Sequence, residues 1–73
     1  MTGAEFVRHL RRLGRKQRVA VRMVPGSGKD SHGRIFYGVR STTIPDLKHE
    51  LGPGLLRALC KQLGIEVKEL TRM

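Results

Sequence analysis

An α+β fold, ordered helix–strand–strand–strand–helix, is the class that three features of the sequence predict. A capping-box signature followed by an apolar stripe of helical period opens the chain. Segments of strand-like alternation, split by a loop of Pro, Gly and Ser, occupy the middle. A second leucine-striped helix, bracketed by Gly52-Pro53-Gly54 and Gly64, closes it. The 73 residues are read as a single domain, 1–73, with an ordered core over about 3–70. A chain this short hides only about 60% of its unfolded surface, so its core is thin.

Each element has its own signal. Thr2 with Glu5 three residues on forms a capping box. The helix it starts is predicted to run to about Arg15 and to end around Gly14. On it Phe6, Leu10 and Leu13 share one side, while Arg8, Arg11, Arg12 and Arg15 share the other. That basic side is either an ordinary solvated surface or a contact for a polyanion. Residues 17–24 alternate as a strand, with Val19, Val21 and Met23 on one face and Arg22 on the other. Residues 25–31 read as a loop, with one Pro, two Gly and two Ser.

A second strand is predicted over 33–39. Periodicity does not settle its inward side, but with Arg34 outward, Ile35, Tyr37 and Val39 point in. A tight turn near Gly38 leads to a third strand, 40–44, ended by Pro45 and Asp46. Residues 47–51 are expected to add one helical turn. The last main helix carries Leu55, Leu56, Leu59 and Leu63 as its stripe, with Cys60 at the edge. Gly64 stands where a left-handed cap is expected, Ile65 packs beyond it, and 66–70 form a short final turn. Two helices with one apolar stripe each should cover one face of a three-stranded antiparallel sheet. Double-stranded-RNA-binding domains have this arrangement, as do unrelated α+β domains, so architecture alone does not assign function.

Fifteen Lys and Arg against six Asp and Glu give a net charge of +9. Such an excess favours polyanions: nucleic acid, an anionic membrane surface or an acidic protein. No apolar run approaches the roughly 20 residues of a membrane-spanning helix, and the basic, amphipathic start lacks the apolar core of a secretory signal, so no membrane partner is expected. Cys60 is the sole cysteine. It leaves no internal disulfide to form and fits a reducing, cytoplasmic setting.

The stretch GSGKDSH, residues 26–32, looks at first like a phosphate cradle. A Walker loop needs a glycine five residues before Gly28, where Met23 stands, and Ser or Thr after Lys29, where Asp30 stands; it also needs a helix to follow, and a strand does. Nucleotide binding is therefore rejected. His9, His32, His49 and Cys60 show no metal-ligand spacing, so neither a metal nor a cofactor is expected. His9 reads as a half-buried structural residue and His49 as a surface one. His32 differs, lying where the glycine-rich loop meets a strand, between Lys29 and Arg34. Imidazole titrates near neutral pH and suits general acid–base work. RNA supplies its own nucleophile, the 2′-hydroxyl, so a metal-free ribonuclease needs a base and cations beside the phosphate. The residues by themselves leave His32 either a phosphate contact or a catalytic group.

Ser31-His32, Tyr37, Thr43-Ile44-Pro45, the run from Glu50 to Leu56 (ELGPGLL) and the run from Lys61 to Ile65 (KQLGI) together resemble the HicA family of toxins. That family's pattern is G-S-H at a strand start, then V-P, then E-L-x-x-G-T-L, then a helix ending K-Q-x-G-I. The first helix, with Leu10, Leu13 and Gly14, is similar to the family's opening, so the resemblance spans about residues 4–70. It implies a double-stranded-RNA-binding-like fold and an mRNA interferase of a type II toxin–antitoxin system. It also implies His32 as the catalytic histidine and a HicB-type antitoxin that covers the active face.

On this reading the substrate is mRNA and the reaction is metal-independent cleavage. Lys29, Arg34 and Arg22 neutralise phosphate, and Ser31 donates a hydrogen bond to it. Arg8, Arg11, Arg12 and Arg15 guide RNA from further away or meet acidic residues of the antitoxin. Two positions depart from the pattern. Leu55 replaces the family's Thr. Asp30 replaces the glycine of G-S-H, where an acid either repels phosphate or, in an extended segment, stands beside His32 and favours its protonated form.

Overall fold

The computed structural model describes residues 1–26 and 32–72. Helix α1 spans Gly3–Gln17. The Thr2 hydroxyl accepts the Glu5 amide at 3.2 Å, and Glu5 Oε1 accepts the Thr2 amide at 2.8 Å, completing the capping box. Two further N-terminal amides are satisfied from a distant segment: Gly3 donates to the His49 carbonyl and Ala4 to that of Leu47. Residues 47–49 form turns and a bend rather than the expected helical turn. The Leu47 and His49 carbonyls are committed to the start of α1, and Glu50 pairs with Thr2 as an isolated β-bridge.

Helix α1 also runs past Gly14, where the sequence suggests a stop. Gly14 is buried inside the helix because β1 and its approach come too close for a side chain. A β-carbon there would stand 2.6 Å from Val21 Cγ2 and 2.7 Å from the Val19 carbonyl oxygen. The left-handed cap falls on Arg18 instead, at φ 58°. Strand β1 is accordingly only Val21–Val24, not 17–24.

Strands β2 (Gly33–Tyr37) and β3 (Arg40–Ile44) complete a three-stranded antiparallel sheet in the order β1-β2-β3. Register pairs Met23 with Ile35 and Ile35 with Thr42 on one face. On the other, Arg22 pairs with Phe36 and Phe36 with Ser41. Ile35, Tyr37, Thr42 and Ile44 are buried, with Val21 and Met23 half-buried beside the core. Val39, expected to point inward, is fully exposed, since the strand stops at Tyr37 and Gly38-Val39 make the turn. Thr42, the buried polar side chain of this face, donates its hydroxyl to Gln62 Oε1.

Helix α2 spans Pro53–Gln62, with Pro in the first turn. It buries Leu59 and Cys60 against β3, and Leu63 follows. Leu55 is instead 40% exposed, so the stripe that packs is Leu56, Leu59, Cys60 and Leu63. Gly64 adopts φ 75°, Ile65 donates to the Cys60 carbonyl and Gly64 to that of Lys61. These bonds make a Schellman cap, a conformation that glycine enters without a β-carbon penalty. Buried Ile65 packs behind it, and α3 (Val67–Thr71) returns against α1 through buried Leu70.

The helices thus lie on one side of the sheet over one hydrophobic cluster, in an α+β arrangement with a three-stranded antiparallel sheet. No helix among the described residues is long and apolar enough to cross a membrane.

Candidate nucleic-acid interface

Strand alternation sends every second residue of the sheet away from the helices. The outward positions are Arg22 and Val24 on β1, Arg34 and Phe36 on β2, and Ser41 and Thr43 on β3. Both charged residues among them are arginines and none is acidic. Arg34 is held flat across β3, donating to Ser41 Oγ at 3.0 Å and Thr43 Oγ1 at 3.3 Å. Both partners are neutral hydroxyls, and the guanidinium has further donors for an anion.

His32 immediately precedes β2 and is exposed. It lines an open depression of about 310 Å³ together with Arg34, Thr43, Val24 and Pro25. The next residue explains how it is positioned. A β-carbon on Gly33 would lie 2.8 Å from the Val24 carbonyl oxygen and 3.4 Å from the Gly26 amide. The end of β1 therefore closes directly onto the backbone beside His32. An imidazole and a guanidinium share one concave, solvent-open place, a combination able to hold a phosphate and to move a proton next to it.

Arg22 lies one residue pair further along the same face, its guanidinium carbon 4.5 Å from the Phe36 ring centroid. The structure therefore brings His32 and Arg34 into one depression and sets Arg22 beside it on the same face. Lys29 and Ser31, and Asp30 with them, lie outside the described residues.

The four helical arginines are elsewhere. Arg8, Arg11, Arg12 and Arg15 are exposed on α1, off its buried face. Arg11 and Arg15, joined by Arg18, border a second depression of about 410 Å³ beside β1. Among the described residues, the basic surface of α1 is thus separate from the depression that holds His32.

Among the described residues, Cys60 and Tyr37 are poorly suited to chemistry. Cys60 is buried, and desolvation, reinforced by the charge of Glu69, pushes its thiol up to about 11. The cleft of about 600 Å³ that it lines between α2 and α3 offers no activated nucleophile. Burial likewise raises Tyr37, whose hydroxyl donates to Gln17 Oε1 at 2.6 Å in a structural contact between β2 and α1. His9 is half-buried with Nδ1 enclosed, and His49 is exposed.

Phe36 is the residue that sequence reasoning passed over. Its signal was available: with Arg34 outward, the residue two positions on is outward too. Comparison with protein-family models, with curated proteins and with solved structures finds no match. The resemblance to HicA toxins thus stands on the order and spacing of short motifs.

Proposed function

We propose that this protein is a metal-independent endoribonuclease of the HicA type, the toxin of a toxin–antitoxin pair, built on a double-stranded-RNA-binding-like fold. The observation that carries the proposal is the shared depression of His32 and Arg34 on an open sheet face whose described outward strand positions are basic or neutral. The motif order downstream, from Thr43 to Ile65, supports it.

The reaction needs little from the protein. His32 acts as general base on the ribose 2′-hydroxyl, or as general acid at the leaving 5′-oxygen. The 2′-oxygen forms a bond to phosphorus as the bond to the 5′-oxygen breaks. The 2′-hydroxyl proton passes to the base, and the 5′-oxygen takes a proton from a second acid or from water. A 2′,3′-cyclic phosphate and a 5′-hydroxyl result. Arg34 neutralises the phosphate, with Lys29, Ser31 and Arg22 as further contacts. The cellular substrate is mRNA in the cytoplasm, and its cleavage stops translation. A HicB-type antitoxin restrains the toxin by covering this face, and the four arginines of α1 guide RNA or meet acids of that partner.

Incubation of purified protein with RNA in chelator tests the mechanism, the expected products ending in 2′,3′-cyclic phosphate. Equal cleavage of an all-deoxy strand would exclude it, because that strand has no nucleophile. Undiminished cleavage by His32→Ala would remove His32 from the chemistry. Induced expression, wild type against His32→Ala, should arrest growth only with the histidine present.

A second reading, a non-catalytic RNA-binding module, draws on the Arg22–Phe36 contact, which binding could use without His32. Steeply salt-dependent RNA binding with no cutting under any condition would select it.

A further inference from the structure

Phe36 is a large apolar side chain that the core does not use. It stands half-buried on the solvent side of the sheet's central strand, with Arg22 over its ring at 4.5 Å. Around it are Arg34, Ser41 and Thr43, and every outward position of the three strands is basic or neutral. A planar ring joined to a planar cation, set in a basic surface, has the chemistry of a base-stacking platform. Nucleobases stack on aromatic rings and on guanidinium planes, and nearby cations take the phosphates.

We infer that Phe36 and Arg22 form a stacking subsite for one base of single-stranded RNA, on the path that leads to His32. The inference rests on the reading of this face as an RNA site and adds to it a residue that reads the strand rather than cutting it. His32, Arg34 and Phe36 are spaced two residues apart on one side of the chain. At about 3.3 Å per residue, Phe36 is about 13 Å from His32. The base it holds therefore belongs to a neighbour of the nucleotide that reacts. Loss of the ring should weaken binding and raise KM, with little change in kcat. An acidic peptide would satisfy the arginines, but its carboxylates are anions, which the electron-rich face of the ring does not attract.

The test separates stacking from charge. A short 2′-O-methyl oligouridylate cannot be cleaved, and an abasic 2′-O-methyl chain of the same length keeps the phosphates without the bases. Wild type should bind the base-bearing chain about 5- to 100-fold more tightly than the abasic one. Phe36→Leu should lose that preference and hold the abasic chain as before, while Phe36→Trp should keep or increase it. Circular dichroism and thermal melts of both variants verify the fold.

Equal loss for both chains in Phe36→Leu, or no loss for either, would overturn the inference. So would oligoglutamate binding as tightly as the base-bearing RNA with the same dependence on Phe36. Preference for bases that depends on Phe36, in a protein that never cuts natural RNA, would sustain the subsite and reject the ribonuclease. Cutting that depends on His32, with no effect at Phe36, would do the reverse.

Discussion

The two faces of one three-stranded sheet have opposite fates. Toward the helices, Ile35, Tyr37, Thr42 and Ile44 are buried, and the polar one among them is hydrogen-bonded to Gln62. Toward solvent, Arg22, Arg34, Thr43 and, just before the strand, His32 are exposed, and Phe36 is half-buried among them. The same strands carry both sets, since side chains alternate. The lesson is that the residues that hold the fold and those proposed to act on RNA can be separated one by one, because neighbours in sequence belong to different faces.

The largest effects should come from substitutions that break this division cleanly. His32→Ala should lower RNA cleavage by about 10²–10⁴-fold, the usual contribution of a general acid or base. It should move folding stability by less than about 0.5 kcal/mol in denaturant titrations, because the side chain is exposed. Three residues away, Ile35→Ala should do the opposite. Ile35 is fully buried, and truncation there costs about 2–5 kcal/mol, much of what a domain this small possesses. Urea titration followed by circular dichroism would show it, with activity lost only as the protein unfolds.

Arg34→Gln probes the proposed RNA face at finer scale. It should weaken RNA binding and reduce the slope of log K against log salt by about 0.7, the value for one single-strand phosphate contact. Changing Arg8, Arg11, Arg12 and Arg15 together to Gln should instead slow association at low salt, measured by stopped flow. It should leave single-turnover cleavage of saturated enzyme unaltered, because those arginines stand outside the depression that holds His32.

At the helical start, Thr2→Ala should cost about 1 kcal/mol of stability in the same urea titration, as loss of an N-cap hydroxyl does. The smallest effect concerns pH. The Thr2 backbone amide, then its hydroxyl contact, holds the Glu5 carboxyl below its ordinary value. A depressed acid stabilises the fold above its unfolded pKa, and that contribution fades as pH falls through the folded value. Melting temperatures measured from neutral into acid should therefore drop slightly more for wild type than for Glu5→Gln.

Much of this was legible in sequence because the signals were local. The capping box at Thr2 and Glu5, the bounds of β3 and the cap at Gly64 each depend on residues within a few positions. Where prediction erred, a distant contact had intervened. Gly14 signals a helix end by composition, but it serves the approach of Val19 and Val21. Residues 47–51 looked helical, but the Leu47 and His49 carbonyls are taken up at Ala4 and Gly3. Leu55 matched the stripe by period and still faces solvent, since α2 meets β3 through Leu59 and Cys60.

The candidate site divides in the same way. By itself the sequence determined the basic excess, the histidine at the mouth of a strand and the absence of a Walker loop, all properties of residue type and spacing. The tertiary structure added that Arg34, already expected beside His32, shares one depression with it and with Thr43 from a neighbouring strand. Strand pairing placed Arg34 and Thr43 beside His32 and Phe36 under Arg22 on the same face, whereas the four arginines of α1 stand outside that depression. Charge can be counted along a chain, but its field acts through space, and that space is set by register and packing.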